Sequence, residues 1–122
     1  MTQKFHRIIL VEDQADVAEG LRAFLTFVGY KVYVAPDVAS ARALAKAVEF
    51  DVLVSDLRLP DGTGWDLLEE LSSEHPIRAI AISGYNTEAD VARSKQVGFL
   101  AHIAKPLAGE TLTTALEKAI AS

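Results

Sequence analysis

Residues 51–64 read DVLVSDLRLPDGTG. The apolar run Val52-Leu53-Val54 reaches a carboxylate, Asp56, after one small residue, and a proline and two glycines then turn the chain away. An apolar run this short, bounded by turn residues, predicts a strand buried on both faces, as in parallel sheets covered by helices on each side. Asp56 is thereby expected at the carboxyl end of a central strand, the edge at which open α/β sheets bind ligands.

The same grammar repeats on either side of this stretch. Upstream, Ile8-Ile9-Leu10-Val11 forms a buried run that ends on Glu12-Asp13. From Gln14 the apolar positions Val17, Leu21, Phe24, Leu25 and Val28 recur at three- and four-residue steps, which predicts a helix that Gly29 stops. Residues 31–35, KVYVA, alternate more than the other strands and read as lying nearer a sheet edge. After Pro36-Asp37 a second helix carries Ala41, Leu44, Ala45 and Val48 on one face.

Downstream, Thr63-x-x-Asp66 is a capping-box-like start for a helix with Leu67, Leu68 and Leu71. Pro76 closes that region, residues 78–83 (RAIAIS) read as a fourth strand, and Gly84-Tyr85-Asn86 as its loop. Thr87-x-x-Asp90 caps a helix poor in large apolar residues, expected to be the least firmly packed. A short strand over 101–104 runs into Lys105-Pro106, and the last helix shows Leu112, Ala115, Leu116, Ala119 and Ile120 on one face.

Five repetitions of strand and helix predict an α/β fold: a five-stranded parallel sheet with helices on both faces and right-handed crossovers. The flavodoxin-like order 2-1-3-4-5 is the expected arrangement, with the apolar first and third strands side by side. The 122 residues suffice for one domain with a real core, taken as residues 1–122. A composition 50% hydrophobic and 24% charged excludes disorder. A net charge of -5 argues against a general nucleic-acid surface, and the absence of cysteine fits the cytoplasm. Apolar runs are too short for a membrane span, and the start MTQKFHR lacks the apolar region of a signal peptide.

In this topology all strand ends meet at one edge, which gathers Glu12 and Asp13, Asp56, Ser83 and Lys105. Three carboxylates crowded there repel one another, and a hard divalent cation such as Mg²⁺ removes the conflict while leaving positions for phosphate oxygens. With a phosphodonor present, Asp56 becomes a carboxylate nucleophile, Lys105 a point charge for a phosphoryl oxygen and the Ser83 hydroxyl a donor to another. Gly84 would let backbone approach closely. A haloacid-dehalogenase-like phosphatase would need an acid where Arg58 stands, and a flavodoxin-type phosphate loop would not begin with Glu12-Asp13.

The segments ILVED (9–13), LVSDLRLPDGTG (53–64), AISG (81–84) and AKP (104–106) resemble the receiver domain of the two-component response-regulator family, in order and along essentially the whole chain. The stretch from Ser83 to Pro106 is most similar to receivers of hybrid sensor kinases or of single-domain regulators. The resemblance implies a phosphoacceptor domain, not a free-standing enzyme. In it Asp56 takes a phosphoryl group from the phosphohistidine of a sensor histidine kinase or a histidine phosphotransfer protein. It implies Mg²⁺ held by Glu12, Asp13, Asp56 and the Arg58 backbone carbonyl, with Ser83 and Lys105 reading the phosphoryl. Arg58 and Tyr85 become modulators of its lifetime, and Lys105-Pro106 is expected to be cis.

Output is expected through the face built from residues 84–104 and the last helix, toward a downstream protein or an attached domain. His102 stands where the family usually has Tyr or Phe, which makes it either a packed, hydrogen-bonded residue or an altered switch. A degenerate receiver that docks without phosphorylation is the alternative reading.

Overall fold

The computed structural model describes residues 6–122. Seven strands and five helices follow in order: β1 Arg7–Val11, α1 Ala15–Phe27, β2 Lys31–Ala35, α2 Val38–Ala47, β3 Val52–Asp56, β4 Arg58–Leu59, β5 Gly62–Thr63, α3 Gly64–Ser72, β6 Ala79–Ser83, α4 Glu88–Val97, β7 Ala101–Ala104 and α5 Gly109–Ala121. The main sheet is parallel throughout, in the order β2-β1-β3-β6-β7. With the two-residue strands β4 and β5 set aside, this is the predicted 2-1-3-4-5 order. Those two pair antiparallel as a small hairpin, where the sequence read only a turn.

Two-residue alternation along the buried strands divides the core into two layers. Ile9, Val11, Leu53, Ala79 and Ala81 face one side and pack with α2, α3 and Phe99. Ile8, Leu10, Val52, Val54, Ile80, Ile82 and Ile103 face the other and pack with Leu25 of α1 and Leu112, Leu116 and Ala119 of α5. Every residue of β3 and β6 is buried, as strands covered on both faces must be. β2 lies at one edge and is only half covered, which is the origin of its alternation.

The helix boundaries follow local chemistry. Gly29 ends α1 with φ +110°, a conformation that costs glycine nothing. Val28, expected on the core face of α1, is instead exposed, because the chain has left the helix by that point and turns toward β2. Asp37 caps α2 by accepting from the Ser40 N–H at 2.7 Å. Thr63 caps α3 by accepting from the Asp66 N–H at 3.2 Å.

α4 has the complete reciprocal box. The Asp90 N–H donates to Thr87 Oγ1 at 3.1 Å, and the Thr87 N–H donates to Asp90 Oδ2 at 3.3 Å. Yet Ser94 is the one buried residue of α4, so this helix is well capped and poorly anchored. No helix among the described residues is long and apolar enough to cross a membrane.

Candidate functional site

The ends of β1, β3, β6 and β7 bring together the residues that the sequence placed there. β1 delivers Glu12 and Asp13, β3 delivers Asp56, β6 delivers Ser83, and β7 delivers Lys105. One carboxylate oxygen each from Glu12, Asp13 and Asp56 lies within 4.8 Å of the other two. Glu12 is almost wholly buried and Asp56 nearly so, while Asp13 faces solvent. A set of hard oxygen donors this close, open on one side, fits Mg²⁺ better than a softer metal.

Two of the three carboxylates are held by backbone N–H groups. The Glu12 Oε2 accepts from the Gln14 N–H at 3.1 Å, and the Asp56 Oδ1 from the Leu57 N–H at 2.7 Å, with the Arg58 N–H further off at 3.4 Å. The close backbone approach at this edge belongs to Gly64, not Gly84. A methyl group on Gly64 would collide with the Asp56 carbonyl oxygen and stand 3.0 Å from Ser55 Oγ, whereas the space around Gly84 is open.

Lys105 bridges two of the three carboxylates. Its Nζ donates to Glu12 Oε1 at 2.5 Å and to Asp56 Oδ2 at 2.8 Å. Burial works against the ammonium, but its bonds to Asp56 and then Glu12 outweigh that and hold it above the ordinary 10.5. Burial pushes the Glu12 carboxyl up, and the Asp56 charge adds to this, although the bonds from Lys105 and Gln14 pull the other way. The repulsion expected among the carboxylates is thus relieved in part by the lysine itself. The Lys105-Pro106 peptide is cis, as expected.

Ser83 is fully buried, and its Oγ is engaged with its own loop: it donates to the Tyr85 carbonyl at 2.9 Å and accepts from the Tyr85 N–H at 2.9 Å. Arg58 and Tyr85 lie side by side at the mouth, the guanidinium 5.3 Å from the ring centroid. Arg58 also stands 5.1 Å from the Trp65 ring and 3.7 Å from Asp90 at the start of α4. A salt bridge this long and this exposed contributes little to stability, but it ties the hairpin after β3 to α4.

His102 is half-buried. Burial depresses its pKa below 6.5, although Asp90 and the Tyr85 carbonyl favour its charge. Its Nδ1 lies 2.8 Å from Ser94 Oγ and its Nε2 2.8 Å from Asn86 Oδ1. His102 is thus hydrogen-bonded through both ring nitrogens. Ser94 and Asn86 were not singled out in the sequence. The available signal was a serine in the middle of a helix with few apolar residues, which leaves a small polar group to fill the interior face.

Comparison with known proteins agrees with this architecture. Residues 8–117 match the family described as the response regulator receiver domain. The chain is 30% identical over 110 residues to the photosynthetic apparatus regulatory protein RegA of Rhodovulum sulfidophilum, covering 89% of this chain and 60% of that protein. It is 28% identical over 118 residues to the alginate biosynthesis transcriptional regulatory protein AlgB of Pseudomonas aeruginosa, covering 96% of this chain and 26% of that one. The chain thus spans 60% or less of the length of these curated relatives.

Among solved structures, a CheY-like response regulator receiver domain protein from Methanospirillum hungatei superposes with a TM-score of 0.91 at 26% identity, over 97% of this chain and 95% of that one. The non-phosphorylated HemR receiver domain from Leptospira biflexa does so with a TM-score of 0.88 at 30% identity, over 96% and 95%. AlgB is a transcriptional regulator by name, so the acidic balance of this chain speaks only for its own surface and leaves nucleic acid open for any longer protein. By fold, by the order of its strand-end residues and by these matches, the chain belongs to the response regulator receiver domain family.

Proposed function

We propose that residues 1–122 form one receiver domain in which Asp56 is the phosphoacceptor of a two-component or phosphorelay system. One observation carries the reading: Glu12, Asp13 and Asp56 converge within 4.8 Å while Lys105 reaches Asp56 at 2.8 Å. A docking-only module would need neither this acidic convergence nor a lysine directed at it. The family and its regulatory relatives support a signalling role. The cytoplasm is the proposed location and a phosphohistidine protein the proposed donor.

Bound Mg²⁺ would be held by the carboxylates of Glu12, Asp13 and Asp56 with the Arg58 carbonyl, and would offset negative charge on the transferring group. An Asp56 carboxylate oxygen attacks phosphorus, a P–O bond forms, and the P–N bond to the donor imidazole breaks. The electron pair of that bond returns to the imidazole nitrogen. Leu57 N–H steadies the Asp56 carboxylate during attack. Lys105 exchanges one of its carboxylate contacts for a phosphoryl oxygen, and Ser83 Oγ leaves Tyr85 to donate to another. Loss of that loop contact frees the segment between β6 and α4 to move, and with it the face formed by α4, β7 and α5.

Incubation with Mg²⁺ and acetyl phosphate, followed by intact-mass measurement, tests the reading. The wild-type protein gains one phosphoryl mass and Asp56→Asn does not. No gain on wild type, or a gain that survives Asp56→Asn, removes Asp56 as acceptor.

A further inference from the structure

A continuous line of hydrogen bonds runs beside the site without touching the acidic cluster. Trp65 Nε1–H, at the start of α3, donates to Ser94 Oγ at 2.9 Å. Ser94 Oγ meets His102 Nδ1 at 2.8 Å, His102 Nε2 meets Asn86 Oδ1 at 2.8 Å, and Asn86 Nδ2 donates to the Ser83 carbonyl at 3.0 Å. Four elements are joined in this way: α3, α4, β7 and the loop after β6.

The chemistry of the two ends sets the direction of every link. An indole N–H can only donate, so Ser94 Oγ accepts there and has one hydrogen left to give. That hydrogen goes to His102 Nδ1, which leaves the ring proton on Nε2. The Nε2–H donates to the Asn86 carbonyl oxygen, and the Asn86 amide donates to Ser83. Of the two neutral tautomers, only Nε2–H fills all four links. In the imidazolium both ring nitrogens donate, and Ser94 would have to accept from Trp65 and His102 together and turn its own hydrogen elsewhere.

We propose that His102 is a positioning residue, holding the Ser83–Asn86 loop in its resting place through a Trp65–Ser94–His102–Asn86 hydrogen-bond relay. The proposal rests on the reading of Ser83 as a group that moves to meet the phosphoryl. The relay fastens the loop at Asn86, next to the residue that must leave Tyr85, and fastens α4 at its one buried side chain. Movement of Ser83 therefore has to break a link, and the break is felt at Trp65 and along α4. A packed phenyl ring at position 102 would offer shape alone. Here the connection is made by directed hydrogen bonds.

The charged groups around the ring are engaged with other partners. Asp90 of α4 favours the imidazolium but is shared with Arg58 at 3.7 Å. Lys105, further along the chain, is committed to Glu12 and Asp56. Arg93 of α4 lies over Trp65 at 4.3 Å and is paired with Asp66 at 3.6 Å. The Tyr85 carbonyl is the uncharged group that also favours the ring's proton.

The test compares rates of Asp56 phosphorylation by acetyl phosphate with Mg²⁺ in wild type, His102→Phe, Ser94→Ala and the double variant. Each single variant cuts the relay, and each is expected to react about fivefold faster, the worth of roughly one neutral hydrogen bond. The double variant is expected to be no faster than either single one, because a relay is cut only once. Single variants that react at the wild-type rate, or effects that multiply in the double variant, would each overturn the relay.

Nitrogen NMR of the imidazole reads the relay with no phosphodonor present. A proton on Nε2 at neutral pH supports it, and one on Nδ1 overturns it. A wild-type protein that carries the Nε2 proton yet gains no phosphoryl mass would fail the proposed function while leaving the resting relay standing.

Discussion

Lys105 has its charge committed before any ligand arrives, to Glu12 at 2.5 Å and Asp56 at 2.8 Å. Lys105→Met leaves two neighbouring carboxylates without their cation. In metal-free buffer it is expected to lose about 2–3 kcal/mol, somewhat less than a fully buried pair would cost, because the lysine side chain keeps some exposure. Urea unfolding in EDTA measures this, and added Mg²⁺ should restore more stability to the variant than to wild type. The pH dependence has a definite sign. The folded-state pKa of Lys105 lies above 10.5, so its contribution is fully present below that value and is lost as pH rises through the folded pKa. Wild type should therefore lose stability in strong alkali faster than Lys105→Met does. The charge pattern was legible in the sequence, but the pairing was not. Residue types at strand ends say which groups meet, and only side-chain reach decides that the lysine bridges two of them while Ser83 bonds to its own loop.

At the scale of elements, helix caps and helix packing separate cleanly in α4. Its capping box was readable from Thr87 and Asp90, and its lack of apolar residues foretold weak anchoring. What could not be read was that the anchor would be a serine, since hydrogen bonding to Trp65 and His102 leaves no trace in hydrophobic periodicity. Thr87→Ala removes one side of the box and is expected to cost about 1 kcal/mol, with amide exchange rising across 88–97 ahead of α3. The hairpin β4–β5 was missed because two-residue strands are too short to alternate. Gly64, which follows it, is the start of α3 and lies against the Asp56 carbonyl. Gly64→Ala forces backbone apart where neither side can yield, and is expected to cost about 2–4 kcal/mol in thermal or urea unfolding.

Across the whole molecule the fold was legible because its rule is simple: short apolar runs alternate with amphipathic segments, and the order 2-1-3-4-5 puts the two most apolar early strands at the centre. The layers of the core follow from two-residue alternation in β1, β3 and β6. A switch in such a body is confined to what is least anchored. Amide exchange with and without beryllofluoride should therefore change across residues 84–104 and stay unchanged in β1 and β3. Unchanged exchange across 84–104 would count against a conformational output by this face.

Glu12, Asp13 and Asp56 hang on β1 and β3, while their cation hangs on β7, which reaches β3 only through β6. A chain emerging from its amino end can therefore assemble three crowded acids well before it owns the group that calms them. Docking of the last strand is then also the step that brings a cation to two of the three acids. A copy cut short before β7 would carry the aspartate without the lysine that bonds to it.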